Sequence, residues 1–245
     1  YAEASAEVFS AYGVPFYADV KKPLSSHPAA RLFSSLMRLK KQNIPPLLLA
    51  ETIKNPLVDP EKGEEAEEYV LKNAIGRKNV RTPFDCGAED MRKTIVSFID
   101  SLVAKATVGE YCGAIIDLYA DLSAQSKAEE LQKKFEEKGE DALGYFAVAG
   151  LDDFLKVISE AAVTAGDVKV SVDEFGEMIS AGVEAIETAM LPQFYDGVFM
   201  GDFVSTRQRV AKILFVAGLT SDVPLYKADA SLLSDRELIK MDGYK

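Results

Sequence analysis

Residues 13–39 read GVPFYADVKKPLSSHPAARLFSSLMRL, and residues 199–225 read FMGDFVSTRQRVAKILFVAGLTSDVPL. These two stretches decide the fold. The first spaces out a strand at Val14–Ala18, a polar loop and a helix opened by Pro28. The second spaces out strands at Val198–Gly201 and Ile213–Ala217, and LLSDREL, residues 232–238, then opens a helix. VAKILFVAG, residues 210–218, is a near-continuous apolar run, the pattern of a strand covered on both faces. Neither end holds enough apolar surface to fold alone. The two ends are therefore expected to share one small, mostly parallel sheet, with the middle leaving that domain and returning to it. Upstream, Ala2–Tyr12 has helical spacing and Gly13 is placed to end it.

The middle reads as helical throughout. MRKTIVSFIDSLVAKA, residues 91–106, puts Met91, Ile95, Phe98, Ile99, Leu102 and Val103 on one stripe. GEYCGAIIDLYADL, residues 109–122, repeats that spacing with Tyr111, Ile115, Leu118, Tyr119 and Leu122. KAEELQKKFEEKGE is a polar helix with Glu129–Lys133 and Glu130–Lys134 at i,i+4. A long apolar helix follows within residues 140–166, with Leu151, Phe154, Leu155 and Ile158 on one face. Ser171 or Asp173 can cap the next helix, which carries Phe175, Ile179, Val183 and Ile186 inward and is ended by Pro192. No strand signal stands out between Lys40 and Pro192, and no internal repeat. Asn55–Glu65, with two prolines and a charge run, is the best candidate for a mobile loop. The expected architecture is α/β but predominantly helical: a partial sheet built from both chain ends, with a large all-helical insertion. Its parts are residues 1–42, 43–192 and 193–245.

Composition narrows the function. The chain has 245 residues, 48% of them hydrophobic and 27% charged, with a formal net charge of -11. That balance argues against a non-specific duplex binder, which would carry a strongly basic stripe. It leaves room for a local groove for single-stranded nucleic acid, because local charge decides such binding. Lysines and arginines do cluster, at Lys21–Lys22, Arg38–Lys41, Arg77–Arg81 and Arg207–Lys212. Cys86 and Cys112 have no CxxC spacing and read as free thiols, and an iron–sulfur cluster would need about four cysteines. No apolar run is long enough to cross a bilayer, so no membrane partner is expected and a cytoplasmic location is. The first residue is Tyr1 rather than Met, and we expect a piece of a longer protein.

The search for chemistry returns negatives. A phosphate-cradling GxxxxGK[ST] loop is absent, so no ATP site of that kind is expected. Two (D/E)xK-like stretches, Asp59–Lys62 and Glu136–Lys138, fall in a loop and at a helix end, away from the strand pair that a Mg²⁺-dependent nuclease needs. The lone histidine, His27, precedes Pro28 and reads as a cap or loop residue. No catalytic residue, no metal site and no cofactor of its own are expected for this chain.

Several segments carry a family resemblance. Residues 11–39 resemble the part of superfamily 1 helicases where a strand ending in "IPY" meets a helix just before the 2B insertion. More narrowly they resemble the B subunit (AddB/RexB) of bacterial AddAB (RexAB) ATP-dependent helicase–nucleases. EEAEEYVLKNAIGRKNVRTPF, residues 64–84, is similar to that family's "E-N-Y-x-L-x-x-G-I" stretch, with Ala74 where a glycine is expected. SVDEFGEMISAGVEA resembles the helix that closes the insertion. Residues 196–238 resemble the return segment: a strand ending in "GD", a basic "R-x-R", a second strand, then "LLSD". Leu219–Val223 replaces the usual Asn/Asp–Gly turn, and Tyr226–Ala230 replaces a glycine-containing linker.

The resemblance implies a RecA-like motor domain 2A with its 2B insertion, without catalysis of its own. It implies work on double-strand DNA ends in recombinational repair, guiding single-stranded DNA beside the A subunit, the partner helicase–nuclease. The parent protein would use ATP, Mg²⁺ and an iron–sulfur cluster. Strand contacts would then come from sheet-end loops: Ser205, Thr206, Arg207 and Arg209 on the return side, Lys21, Lys22 and His27 on the outgoing side. Such hydroxyl, guanidinium and ammonium groups donate to phosphates without reading bases. The other reading is a helical protein–protein interaction module for the partner helicase. An isolated sheet of this kind would expose an edge and invite self-association.

Overall fold

A computed structural model describes residues 5, 8–9, 11–18, 21–59, 61–188, 197–201 and 211–217 of the chain. The chain divides into two compact units, Pro15–Met200 and Tyr1–Val14 with Gly201–Lys245. In the first of these, eight α-helices follow one another: α1 Pro28–Gln42, α2 Pro46–Ile53, α3 Gly63–Lys72, α4 Glu89–Ser101, α5 Val108–Asp121, α6 Ala124–Glu136, α7 Asp141–Ala165 and α8 Val172–Glu184. Strands are short: β1 Phe16–Ala18, β2 Lys22–Pro23, β3 Lys105–Thr107, β4 Lys169–Ser171, β5 Glu187–Thr188 and β6 Val198–Met200.

Helix α1 lies at the centre. Pro28 sits at its first turn, where a missing N–H costs nothing, and Asn43 ends it in the left-handed region. Its buried side chains Leu32, Phe33, Leu36 and Leu39 recur at helical spacing. The Phe33 ring lies 5.9 Å from Phe154 of α7 and meets Phe175 of α8 edge-on at 6.1 Å. Tyr119 of α5 packs on Phe154 at 5.2 Å and donates its hydroxyl to the Ala29 carbonyl at 2.7 Å. Phe33, Phe154 and Phe175 are fully buried, each worth on the order of 2–3 kcal/mol in apolar transfer. One aromatic cluster thus ties α1, α5, α7 and α8 together.

The apolar stripes fall inward as the sequence predicts, with two exceptions: α8 stops at Glu184 instead of running on to Pro192, so Ile186 lies beyond it and is half-buried, and Val103 turns outward. Met91, Ile95, Phe98, Ile99 and Leu102 are buried, but Val103 is 55% exposed. Leu102 is extended (φ -69, ψ 100), so the helical phase is lost one residue before Val103. On α6 the expected Glu129–Lys133 and Glu130–Lys134 ion pairs are not formed; Gln125 donates to Glu129 and Gln132 to Glu136 instead. Of the expected mobile stretch Asn55–Glu65, residues 55–58 are pinned rather than loose, and Gly63 already opens α3. Asn55 donates to the Pro28 carbonyl at 2.9 Å, Leu57 and Val58 are buried, and the Lys127 ammonium donates to both their carbonyls.

The sheet needs the larger correction. β1 pairs with β6 in parallel, Phe16 beside Val198, so strands from the two ends of the chain do meet. That pair stops at two strands, and the others are antiparallel: β2 with β5, and β3 with β4. Among the described residues there is no RecA-like parallel sheet. The expected strand Ile213–Ala217 is not one: its residues form no ladder, and Ile213, Leu214 and Phe215 are 73%, 78% and 89% exposed. An apolar run becomes a buried strand only with a partner on each side. Strands do occur inside the helical middle, contrary to expectation. Each has at most three residues, too few to show alternation in sequence.

Those strands expose a short internal repeat. Lys105-Ala106-Thr107-Val108-Gly109-Glu110-Tyr111 and Lys169-Val170-Ser171-Val172-Asp173-Glu174-Phe175 each form a strand, a capping box and the first turn of a helix. Thr107 accepts from the Glu110 amide while the Glu110 carboxylate accepts from the Thr107 amide; Ser171 and Glu174 do the same. The ladder pairs Lys105 with Ser171, Ala106 with Val170 and Thr107 with Lys169, so a local two-fold axis passes between Ala106 and Val170. It continues outward, since Val108 donates to Val168 and Val172 to Ala104. Tyr111 and Phe175 stack across it at 4.9 Å.

In the second unit, Ser5, Val8, Phe9 and Ala11 are helical. Gly13, at φ +64, ends that helix as expected, with the Val14 amide returning to the Phe9 carbonyl at 2.9 Å.

Candidate functional site

His27 is fully buried, which takes it out of the set of strand contacts. Nδ1 accepts from the Ala29 amide at 3.1 Å and caps α1, while Nε2 donates to the Ala147 carbonyl of α7 at 3.0 Å. Both nitrogens are used, and the ring stands edge-on to Phe146 at 5.1 Å. Burial pushes its pKa down to about 4, against the smaller pull of the Ala147 carbonyl and the Asp153 carboxylate. It is therefore the neutral ring that staples α1 to α7. The cap or loop role read from its place before Pro28 is the one that it has.

Lys22 lies in β2, half-buried, with its ammonium 5.6 Å from the centre of the Phe146 ring. Lys21 is exposed and stays available to a phosphate. Ser205, Thr206, Arg207 and Arg209 lie outside the described residues.

The structure brings together two basic clusters that lie far apart in sequence. The last turn of α1 supplies Leu39 and Lys40. Asn43 and Ile44 follow, both left-handed at φ 67 and 59, and turn the chain back beneath the loop after α3. In that loop Gly76 and Asn79 close a tight turn. The Asn79 amide donates to the Gly76 carbonyl at 3.0 Å, and the Gly76 amide to the Asn79 side chain at 2.8 Å. Arg77 and Lys78 occupy the corner of that turn and are exposed. Gly76 makes a close approach here: a Cβ would stand 3.1 Å from the Ile44 carbonyl and 3.3 Å from the Pro46 ring, so a larger residue needs that backbone to give by a few tenths of an ångström. Arg92 holds the loop from behind. It donates to the Val80 carbonyl at 3.1 Å and pairs with Glu89 through two bonds of 2.7 and 2.6 Å.

The result is an open groove of about 220 Å³ lined by Leu39, Lys40, Asn43, Ile44, Arg77, Arg81, Ile99 and Asp100. Lys40 donates to the Ile99 carbonyl at 2.8 Å, which leaves two of its three N–H groups unused. Arg81 is paired with Asp100, so those two charges cancel. Arg77, Lys78 and Lys41 make no ion pair with any described residue. Sequence reasoning singles out Arg38–Lys41 and Arg77–Arg81 as separate clusters; what it lacks is the left-handed Asn43–Ile44 turn that joins them.

A second groove, of about 200 Å³, runs beside α1 and α8. Arg31 and Arg38 face it together with Glu51 and Glu184, a balanced set that offers an anion no net attraction. The nuclease-like stretches have structural roles or none: the Asp59 carboxylate accepts from the Glu61 and Lys62 amides at 2.9 Å ahead of α3, and Glu136–Lys138 is an exposed helix end. Among the described residues, no group of three or more His, Cys, Asp or Glu is gathered for a metal. Cys86 and Cys112 are free thiols, and burial pushes Cys112 up to about 11. They do not fit an iron–sulfur cluster. No helix among the described residues is long and apolar enough to cross a membrane.

Comparison with known proteins agrees with the resemblance read from the sequence. The chain is 24% identical to the B subunit of the ATP-dependent helicase/deoxyribonuclease of Desulforudis audaxviator, over 97% of this chain and 24% of that protein. It is 21% identical to the protein of the same name from Clostridium novyi, over 94% of this chain and 22% of the relative. For Bacillus cereus (strain B4264) the figures are 22%, 97% and 24%. The chain thus spans about a quarter of the length of the curated relatives that it matches. No protein-family model matches it.

Proposed function

We propose that this chain is a non-catalytic portion of the B subunit of an ATP-dependent helicase–deoxyribonuclease, and that it guides single-stranded DNA during double-strand-end processing and recombinational repair. The observation that carries this reading is similarity to proteins of that name across 94–97% of the chain. Unpaired cations at Arg77, Lys78 and Lys41 support the DNA part, against a net charge of -11 that works to repel it. ATP, Mg²⁺ and the iron–sulfur cluster belong to other parts of the whole protein, which works with its partner helicase in the cytoplasm. The sheet-end residues Ser205, Thr206, Arg207 and Arg209, with Lys21, remain part of the proposed strand path.

The test is binding of a fluorescent single-stranded oligonucleotide across a salt series, with ATPase and nuclease assays alongside. Salt-sensitive binding without turnover is expected, and Arg207→Ala/Arg209→Ala weakens it if the path follows the sheet ends. No binding even at low salt removes the DNA-guiding role. A second reading, a docking module for the partner helicase, is favoured by Leu47 and Leu71, which are 74% and 44% exposed on the packed helices α2 and α3.

A further inference from the structure

We propose that the groove between the last turn of α1 and the Gly76–Arg81 turn is a phosphodiester-binding site that takes the backbone of single-stranded DNA. This rests on the DNA-guiding reading and gives it a place in the helical middle, away from the sheet-end loops. Lys40 and Arg77 are the phosphate ligands. Each lines the groove, and each has donors that no described residue uses up. Lys41 and Lys78 sit one residue further along and add long-range attraction. Asp100 does not oppose them, because Arg81 already neutralises it through a two-bond pair.

Three features fit a nucleic-acid backbone rather than a small buried anion. The groove is open, so a polymer can enter and leave sideways. Its donors, on exposed Arg77 and half-buried Lys40, sit at the ends of long side chains rather than in a closed cage, which suits a sliding contact. Its lining includes no aromatic ring, so it offers no aromatic platform for a base, and contact is chiefly to phosphate without sequence preference. The architecture around it is rigid where the ligands are not. The left-handed Asn43–Ile44 pair, the close approach at Gly76 and the Arg92 brace fix the two strips of backbone that carry the cations.

The experiment compares the whole chain with Arg77→Ala/Lys78→Ala and with Lys133→Ala/Lys134→Ala, which removes the same charge from α6. Anisotropy of a labelled single strand is read across salt, and a strand with neutral methylphosphonate linkages serves as the phosphate-free probe. Unchanged thermal midpoints establish that the variants are folded. The expected result is weaker binding for the groove variant alone, with a salt slope shallower by about 0.7 for each phosphate that is no longer neutralised. The neutral strand should bind all proteins equally poorly. If the chain binds the charged strand but the groove and control variants lose affinity equally, the groove proposal is overturned while the DNA-guiding reading stands. If the chain binds no strand at low salt, both fall.

Discussion

The Cδ2 edge of the His27 ring occupies the place where a methyl group on Gly150 would stand, 2.5 Å from an ideal Cβ. The first turn of α1 and the middle of α7 are thus in contact through a ring on one side and the lack of a side chain on the other. That geometry reverses an ordinary rule. Within a helix, alanine is better than glycine by about 1 kcal/mol. At Gly150 the gain is outweighed, because a buried ring with both nitrogens bonded has nowhere to move. Gly150→Ala should lower stability. Gly113→Ala in α5 meets nothing within 4 Å and should raise it by about 1 kcal/mol. Denaturant midpoints of the pair check this, and a stabilised Gly150→Ala protein would show that the ring is not held as described.

The same ring sets a pH dependence. Its pKa is about 4 in the fold against an ordinary value of 6.5, so between those values the unfolded chain binds the extra proton. Stability therefore falls as pH drops from about 6.5 to 4, by about 3 kcal/mol in all. Glu89 acts lower. Its bonds from Arg92 first, then from the Phe84 amide, hold its carboxyl at about 2, so its contribution is present above the ordinary value of 4.5 and is lost as pH falls from there toward 2. His27→Asn keeps a capping side chain and removes the titration. Its stability should be lower at neutral pH but flatter between pH 6.5 and 4 by chemical denaturation.

Ala74 is a left-handed residue at φ 48, exposed, where the family resemblance expects glycine. An L-residue there is strained by roughly 1–2 kcal/mol, partly offset by the greater freedom of unfolded glycine. Ala74→Gly should raise stability by about 0.5–1 kcal/mol with no change in the denaturant slope. A loss of stability would mean that this turn is not strained.

The two capping boxes should behave alike. Thr107→Ala and Ser171→Ala each remove one cap oxygen and should cost about 1 kcal/mol apiece. The carboxyls of Glu110 and Glu174 are both held below the usual range, chiefly by the amides of Thr107 and Ser171, with Lys169 and Lys105 adding attraction from across the axis. Alanine removes the hydroxyl donor to the carboxylate and leaves the amide, so carboxylate titration by NMR should move each part of the way toward its ordinary value in the matching variant, and only there.

Much of the helical middle is legible in the sequence, because Phe98, Leu118, Phe154 and Ile179 recur at helical spacing and are all buried. What fails has physical reasons. Ile213–Ala217 has the composition of a covered strand, but composition does not supply the partner strands that would cover it. The strands at Lys105 and Lys169 are fixed by pairing across the chain, which leaves almost no local trace. His27 is legible as a cap from Pro28 beside it, yet its bond to Ala147 is not, since that partner is brought up only by tertiary packing. The groove is half legible. Its cations stand out in sequence, while the strained turn at Ile44, unusual for a β-branched residue, has no signal there.

The local two-fold axis has one more consequence. Two identical patches that pair with each other across an axis are what a symmetric dimer is made of, and here two similar patches belong to one chain. A shortened chain that kept β3 and α5 but lost β4 and α8 would present half of that interface. This corner of the fold has the geometry of a symmetric dimer interface drawn into a single polypeptide, with the tether between its halves made of α6 and α7.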